Sequence, residues 1–384
     1  MLERMRTAIA HRGHDQTGEY LRRNVGLSHT RLSIRDLAGG AQPMIRRRGE
    51  WEYGIVYNGE IYNAEELKQD LISRGCHFDT TCDTEVILHG YMEYGMKVAA
   101  MLNGIFAFAI WDEKRNTLFL CRDRLGVKPL FYSIKDDTLV FGSEPKALFA
   151  HPGIHPEADL DSFREIFGIG PARTPGCGVF RGLQEVKPGC ILEYAPNRVQ
   201  ESPYWTLEAK PHTDDYEKTV ETVSWLLRDA VKRQLVSDVP VCSFLSGGID
   251  SSVVTAIASQ ELGKDGVTLH TFSFDFTHND TCFQSNAFQP TRDRPYVDQV
   301  LALYPLEHTY LECDETTLAD LLGDAVRMKD LPGMTDVDAS LLYFCGLVKQ
   351  HNKVALTGEC ADEIFGGYPW FYREDLLHTD GFPW

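Results

Sequence analysis

A glycine loop between a buried strand and an amphipathic helix is the segment best suited to hold phosphate groups. It reads SGGIDSS, residues 246–252, and follows the apolar run VPVCSFL. Two adjacent glycines let the backbone approach a ligand closely, and serine hydroxyls and N–H groups at a helix N-terminus favour an anion. The carboxylate of Asp250 could reach a metal ion bound to those phosphates. The pattern predicts a site for the phosphates of a nucleotide.

A second loop, GECADE at residues 358–363, follows a predicted strand that ends at Thr357. Loops at the carboxyl ends of parallel strands open at one edge of the sheet, so both loops are expected to face one crevice. Acidic side chains at 359, 362 and 363 would repel one another there unless they share a cation. A helix-capping role for one of them stays open. The Walker pattern GxxxxGK[ST] is absent, so the site is not predicted to grip a γ-phosphate for transfer.

Three polar clusters in the N-terminal half, HTRLSI, YNGEIYN and CDTE, lie at predicted strand ends or turns. Arg31 could bind a carboxylate through its two-pronged guanidinium, and Asp83 could bind an α-ammonium group. The amide of Gly59 and the side chain of Asn58 could form an oxyanion hole. Together they would recognise an amino acid and hydrolyse its side-chain amide. Taken singly, they are better explained by structure, because Asn-Gly is a common turn and Asp83 can cap the helix that follows.

The elements that must position these residues change in character along the chain. Residues 1–150 contain many short strands with a few helices, which predicts layered sheets. Residues 151–210 are rich in proline and glycine and are interpreted as an interdomain bridge. Residues 211–384 alternate strands and helices, and a βαβ unit in this part predicts a parallel sheet.

The motifs resemble those of one family. SDVPVCSFLSGGIDSS and GECADEIFGGY are similar to the ATP-pyrophosphatase domain of glutamine-hydrolysing asparagine synthetases of the class B type. HRGHDQTG, HTRLSI, YNGEIYN, DTEV, GIFAFAIWD and RDRLGVKPLFY are similar to the glutaminase domain of that family. The resemblance implies an α/β protein in which an αββα sandwich of the Ntn-hydrolase type precedes the parallel-sheet domain.

The resemblance also implies a ligase of asparagine biosynthesis that uses ATP and Mg²⁺. The side-chain carboxylate of aspartate would become β-aspartyl-AMP and then receive ammonia released from glutamine. The alternatives are a β-lactam synthetase or natural-product amidotransferase, which keeps the fold with another acceptor, and a non-hydrolysing scaffold variant. Retention of the glutamine-binding residues favours the first interpretation over a ring-closing enzyme.

Carried over by motif, the resemblance assigns roles to residues of both halves. Catalytic roles fall on Glu359, Asn58 and Gly59, and metal binding falls on Asp250 and Asp362. Glutamine binding falls on Arg31, Asn58, Gly59, Glu60 and Asp83. ATP binding falls on Leu245, Ser246, Gly247, Gly248, Asp250, Ser251, Phe274, Thr357 and Gly358.

The sequence departs from the family pattern in two places. The family's nucleophile is an N-terminal cysteine whose own α-amine acts as base, whereas this sequence begins MLER and has no cysteine before Cys76. The interpretation is a fragment truncated at both ends that is not expected to hydrolyse glutamine as written. Cys82 is interpreted as an ordinary small residue. Cys360 and Ala361 replace the family's Gly-Ser pair, and because both pairs are small no loss is expected.

Composition narrows the class of partner. The formal net charge of -18 argues against nucleic acid or an anionic membrane surface. The 10 cysteines are scattered without a CxxC pair, which fits a reducing cytoplasm. No stretch approaches the roughly 18 apolar residues of a membrane span. The expected partners are therefore aspartate, glutamine and ATP, and a homodimer is considered.

Overall fold

The chain forms two units in a computed structural model that describes residues 1–285 and 291–381. The first unit comprises Met1–Thr213 together with Gly323–Thr335, and the second unit comprises the rest of the chain. The predicted boundaries at 150 and 210 stay predictions, and the predicted end at Trp384 lies outside the described residues.

The first unit is built on three antiparallel sheets. Its strands are β1 (Gln16–Arg22), β2 (Val25–Arg31), β3 (Met44–Arg48), β4 (Trp51–Ile61), β5 (Gly104–Asp112), β6 (Thr117–Arg122), β7 (Phe131–Lys135), β8 (Thr138–Gly142), β9 (Gln184–Glu185), β10 (Cys190–Ala195) and β11 (Arg198–Pro203). One sheet has six strands in the order β11-β10-β6-β5-β4-β3, one has three in the order β8-β7-β9, and the third is formed by β1 and β2. The last three strands, β9 to β11, lie in the stretch interpreted as a bridge.

Helices cover the outer faces of these sheets. They are α1 (Leu2–Ala8), α2 (Ala64–Ser73), α3 (Asp83–Tyr94), α4 (Val98–Met101), α5 (Pro145–Phe149) and α6 (Leu160–Gly168), with short 3-10 turns at Ala10–Arg12 and Gly95–Lys97. Successive side chains of a strand point to opposite faces. In β5, Phe108 therefore packs in a core shared with α2 and α3, while Ala107 and Ala109 pack in a second core with residues of β2 and β7.

A third core completes the layers, because Leu148 of α5 packs on Phe131 of β7 with Met5 of α1 at its margin. The order of layers is therefore helix, sheet, sheet, helix, and the predicted αββα sandwich is confirmed. Ala107 and Ala109 on the inner face of β5 have small side chains, which helps the two sheets to pack closely.

The second unit is built on a four-stranded parallel sheet, as the βαβ pattern predicted. Its strands are β12 (Val241–Phe244), β13 (Leu269–Phe276), β14 (Leu306–Cys313) and β15 (Val354–Leu356). The remaining helices are α7 (Tyr216–Gln234), α8 (Ile249–Gly263), α9 (Asn279–Cys282), α10 (Arg294–Leu303), α11 (Glu315–Lys329), α12 (Thr335–Val348), α13 (Ala361–Phe365) and α14 (Glu374–Leu377), with a 3-10 turn at Pro369–Phe371. Helix α11 ends within the part of the chain assigned to the first unit.

The strand order β14-β13-β12-β15 contains a reversal of direction. From β12 the chain moves outward to β13 and β14, and it then returns to pair as β15 on the other side of β12. Open parallel sheets bind ligands in the crevice outside the carboxyl ends of the strands at such a reversal. The loops after β12 and β15 are therefore the ones expected to hold a ligand. Among the described residues, no helix combines the length and apolar character needed to cross a membrane.

Candidate active sites

The glycine loop after β12 is held in shape by its own serines. The hydroxyl of Ser251 accepts a hydrogen bond from the N–H of Ser246 at 3.2 Å and lies 3.0 Å from the Ser246 hydroxyl. Gly247 has a φ of +82°, and an added Cβ would lie 2.9 Å from the carbonyl oxygen of Asp293. A side chain at this position would therefore be strained in conformation and crowded in space.

The loop leads directly into an open helix N-terminus. Helix α8 begins at Ile249, and no side chain of the described residues caps its first turn. Ser246 and Gly248 are exposed, as is Ile249, so the first turn faces solvent rather than the core. Unpaired N–H groups at the start of a fifteen-residue helix favour an anion there.

The loop after β15 touches this helix start. An added Cβ on Gly358 would lie 2.7 Å from the backbone nitrogen of Ser251 and 2.9 Å from the carbonyl carbon of Asp250. The two loops are far apart in sequence, yet they meet backbone to backbone at the reversal in strand order. The side chain of Glu359 is exposed beside this contact.

The carboxylates of the two loops influence each other. The pKa of Asp362 is raised, first by burial and then by the negative charges of Asp250 and Glu363. Such mutual repulsion is relieved when a cation is shared. Mg²⁺ typically takes one or two protein carboxylates and completes its shell with phosphate oxygens and water. Among the described residues, no group of three or more His, Cys, Asp or Glu is arranged for a metal. A pair of carboxylates next to a phosphate loop fits the coordination that Mg²⁺ prefers.

Other residues predicted to bind ATP, Leu245, Phe274 and Thr357, lie in or directly after strands of the same sheet, but their atoms are not equally available to a ligand. The N–H of Leu245 donates to the carbonyl oxygen of Phe272 at 2.9 Å, and its carbonyl oxygen accepts from the Ser273 hydroxyl. The backbone of Leu245 is therefore already paired within the sheet. Thr357 is exposed.

The ring of Phe274 is part of an aromatic stack that none of the sequence motifs predicted. Its centroid lies 4.4 Å from that of Phe344 on α12, with the ring planes 10° apart, and the Phe244 ring meets it edge-on at 4.8 Å. Phe344 lies in an apolar helix without distinctive residues, and only its helical spacing could have indicated a buried face.

One substitution relative to the family pattern differs from expectation. Cys360, which caps α13, has a φ of +70° in the left-handed region. The expectation of no loss was based on side-chain size alone, whereas the backbone conformation at this position also matters. A residue with a Cβ is disfavoured in this region relative to glycine.

Replacing Cys360 by glycine is expected to raise the free energy of unfolding by about 0.5–1 kcal/mol. Relief of about 1–2 kcal/mol of left-handed strain is partly offset by the greater freedom of glycine in the unfolded chain. Urea unfolding would measure the change. Cys360→Ala is the matched control, because alanine removes the thiol but keeps the Cβ and the strain. Equal stabilities of the glycine and alanine variants would contradict the explanation.

The predicted glutamine-binding residues share one cleft in the first unit. The cleft has a volume of about 1000 Å³, and its lining includes Arg31, Asn58, Gly59, Glu60 and Asp83. The structure thus brings together all five residues, which come from three separate segments of the sequence. The function of the cleft follows from the atoms that these residues leave available.

The two residues predicted to form the oxyanion hole, Asn58 and Gly59, both line the cleft. The side-chain nitrogen of Asn58 is buried and has no hydrogen-bond partner among the described residues. Gly59 has a φ of +154°, and an added Cβ would overlap the carbonyl oxygen of Ile105 on the paired strand. A buried amide without an acceptor is costly unless a ligand supplies the acceptor.

The carboxylate of Asp83 is fixed by two donors. Its Oδ2 accepts from the hydroxyl of Tyr57 at 2.8 Å and from the backbone N–H of Ile61 at 3.0 Å. The side chain is buried at the start of α3. Within the described part of the chain, the second oxygen, Oδ1, accepts only from the weakly donating thiol of Cys82 at 3.6 Å, which leaves it able to accept from an ammonium group.

The guanidinium of Arg31 already donates several hydrogen bonds within the protein, which the sequence did not indicate. It donates to the carbonyl oxygens of Arg35 and Asp36 at 2.8 and 2.7 Å, to that of Leu37 at 3.3 Å, and to the side chain of Gln16 at 2.8 Å. It therefore fastens the turn that follows β2. A free two-pronged contact to a carboxylate would require some of these bonds to be exchanged.

Two residues of the cleft wall were missed by the sequence reasoning. The Nε2 of His29 lies 3.0 Å from the carbonyl oxygen of Tyr57, and burial lowers the pKa of His29 to about 4. Lys128 also lines the cleft, and burial followed by the positive charge of Arg12 lowers its pKa. Both lie in quoted motifs, HTRLSI and RDRLGVKPLFY, so the signal was present without an assigned role.

Cys82 is a buried thiol rather than a reactive thiolate. Burial, and then the charge of Asp83, raises its pKa to about 11. Reactive cysteines lie in electropositive, partly exposed surroundings that lower the pKa. The environment agrees with the interpretation of Cys82 as an ordinary small residue.

Comparison with known proteins matches both parts of the chain. Residues 1–205 match a family model described as "Glutamine amidotransferase domain", and residues 222–384 match one described as "Asparagine synthase". The asparagine synthetase [glutamine-hydrolyzing] 3 of Bacillus subtilis is 48% identical over 384 residues, which is 100% of this chain and 62% of that protein.

Two further relatives carry the same family name. Asparagine synthetase [glutamine-hydrolyzing] 1 of Bacillus subtilis is 34% identical over 98% of this chain and 57% of its own length. A relative from Methanocaldococcus jannaschii is 32% identical over 99% of this chain and 73% of its own length. The chain thus spans less than two thirds of the length of the two Bacillus relatives.

Proposed function

Because the chain belongs to the family of glutamine-hydrolysing asparagine synthetases, we propose that its second unit uses ATP to activate the side-chain carboxylate of aspartate. The observation that carries the proposal is the contact between Gly358 and the backbone of Asp250 and Ser251 at the reversal in strand order. It puts an open helix N-terminus and an acidic loop into one crevice, which are the two features that bound MgATP requires.

Each part of the crevice has a distinct task in this proposal. The N–H groups at the start of α8 would hold the pyrophosphate portion of ATP, and Asp250 and Asp362 would hold Mg²⁺. When bound, the metal neutralises phosphate charge. Glu359 extends from the second loop into solvent beside the nucleotide, where it positions the acceptor or takes a proton. Thr357, Gly358 and the ring of Phe274 border the nucleoside.

The proposed chemistry proceeds in two steps. A carboxylate oxygen of aspartate attacks the α-phosphorus of ATP, and the bond between the α-phosphorus and the pyrophosphate oxygen breaks. This gives β-aspartyl-AMP and pyrophosphate. The nitrogen of ammonia then attacks the acyl carbon, the carbon–oxygen bond to AMP breaks, and loss of a proton leaves asparagine.

For the first unit we propose glutamine binding, with hydrolysis of its side-chain amide as the source of ammonia in the whole protein. Oδ1 of Asp83 accepts from the α-ammonium group, and Arg31 contributes positive charge toward the α-carboxylate. The unpaired amide of Asn58 and the N–H of Gly59 face the developing oxyanion. Glu60 lines the same wall. A ring-closing relative would not need these groups together in one cleft.

The remaining expectations stay proposals of the same kind. We propose a glutaminase domain at residues 1–150, a bridge at 151–210 and a synthetase domain at 211–384. A cytoplasmic location and a homodimer stay predictions.

Isotope exchange tests the activation step directly. The chain is incubated with ATP, Mg²⁺, labelled pyrophosphate and aspartate, and label entering ATP is measured. Exchange that requires both aspartate and Mg²⁺ is expected, because adenylation is reversible. Glutamate, with one more methylene, is the control acceptor. Exchange with another carboxylate in place of aspartate would reassign the acceptor, and the absence of both exchange and calorimetric ATP binding would contradict the nucleotide site.

A further inference from the structure

A partly buried chain of ionisable side chains lies in the first unit. One oxygen of Glu144, Oε1, lies 2.8 Å from Arg12 Nη1 and 3.0 Å from His11 Nε2. The other oxygen, Oε2, lies 2.6 Å from Lys146 Nζ, which in turn lies 3.2 Å from Asp330 Oδ1. The side chains of Glu144 and Asp330 are each only 11% exposed. We refer to these five residues as the ion network.

Asp330 is bound to Lys146 through backbone as well as side-chain atoms. The backbone N–H of Lys146 donates to Asp330 Oδ2 at 3.0 Å, and Lys146 Nζ donates to the carbonyl oxygen of Met328 at 3.0 Å. Asp330 has a φ of +63°, in the left-handed region. Such a conformation persists only where surrounding contacts enforce it. Lys146 therefore pairs with the charge of Asp330 and also holds the backbone of residues 328–330 in place.

The opposite end of the ion network supports the cleft. Directly after Arg12, an added Cβ on Gly13 would lie 2.5 Å from the carbonyl carbon of Arg31. The N–H of Asp15 donates to the carbonyl oxygen of Arg31 at 3.0 Å, and Asp15 Oδ2 accepts from the N–H of Ser33 at 2.7 Å. The turn at 11–15 therefore packs against the backbone of Arg31.

The surroundings favour the charged form of the Glu144 carboxyl group. Burial alone would raise the pKa of Glu144, but hydrogen bonds from Lys146 and Arg12 outweigh it and hold the pKa below its ordinary value. Removal of one member leaves another charge buried without its partner, and this is more disruptive than loss of an exposed ion pair.

We propose that Lys146 and Asp330 are positioning residues for the cleft of the first unit that is lined by Arg31 and Asp83, here called the amino-acid cleft. They act on Arg31 through Glu144 and the turn at 11–15. The inference rests on the proposed function of that cleft. It means that a segment from the C-terminal half of the sequence, Gly323–Thr335, sets the geometry in which the N-terminal cleft binds its amino acid. In the sequence this segment leads directly into α12, which carries Phe344.

Calorimetric titration with glutamine and hydrogen exchange together test the proposal on the full chain. Lys146→Met and Asp330→Asn are each expected to weaken glutamine binding about tenfold, and the double variant is expected to be no weaker than either single one, since both break one network. Amide exchange at residues 13–15 and 33 is expected to accelerate. Lys146→Arg restores the charge and is expected to recover most of the affinity and protection.

The matched control is Lys187→Met, which removes a lysine paired with Glu201 at 3.4 Å elsewhere in the first unit. It should leave glutamine binding and exchange at 13–15 unchanged. Additive losses in the double variant, equal losses in the control, or unaltered exchange at 13–15 would each overturn the positioning role. If the parent chain binds no glutamine, the proposed function of the cleft fails, while the exchange data still decide whether the network holds the turn. Asp330→Asn preserves shape and serves if Lys146→Met does not fold.

Discussion

Replacement of Asp250 by alanine is expected to weaken Mg²⁺-dependent ATP binding by at least about a hundredfold, equivalent to about 2.7 kcal/mol. The carboxylate stands at the start of α8, in contact range of the second loop, and its charge helps raise the pKa of Asp362. Without it, the metal would keep a single carboxylate from the protein, and the phosphates would lose much of their countercharge.

The same substitution is expected to leave the metal-free protein at least as stable. In the absence of a cation, Asp250 and Asp362 repel each other, so removal of one relieves a cost. Calorimetry with ATP at fixed Mg²⁺ and urea unfolding in a chelator would measure the two effects. Asp265→Ala, which removes an exposed carboxylate from the turn after α8, is the control. Lower stability of the metal-free Asp250 variant, or undiminished ATP affinity, would refute the shared-cation explanation.

Replacement of Gly358 by alanine is expected to weaken ATP binding about tenfold or more and to destabilise the second unit by about 1–3 kcal/mol, as overpacking generally does. The added Cβ would lie 2.7 Å from the backbone nitrogen of Ser251, a contact with backbone that cannot rotate away. Either β15 or the first turn of α8 must shift, and the two halves of the crevice would separate.

Gly346→Ala supplies the matched control, because an added Cβ at this position in the last turn of α12 meets nothing within 4 Å. Alanine is favoured over glycine inside a helix by about 1 kcal/mol, so this control is expected to stabilise the protein and leave ATP binding intact. The affinity and the unfolding midpoint would be measured for both variants. A Gly358→Ala protein that binds ATP as tightly as the parent would show that the close approach of the two loops is not needed for the nucleotide.

Features that depend on local chemistry could be predicted from the sequence. The SGGIDSS loop was predictable because adjacent glycines, serines and a following helix form a phosphate site through groups close together in the chain. The layered sheets of the first unit were predictable from its many short strands, and their αββα order was implied by the family resemblance. The residue types of the amino-acid cleft were recognisable because each motif keeps its chemistry within a few positions.

Features that depend on residues distant in sequence were decided only by tertiary structure. The meeting of Gly358 with Ser251, the capture of the Arg31 guanidinium by neighbouring carbonyl oxygens, and the contact of Lys146 with Asp330 all need the chain to fold back on itself. The left-handed conformation of Cys360 was likewise hidden, because residue size does not report φ. Local sequence specifies which groups can react or bind, whereas the pairing of strands and the burial of charges determine which groups remain available to a ligand.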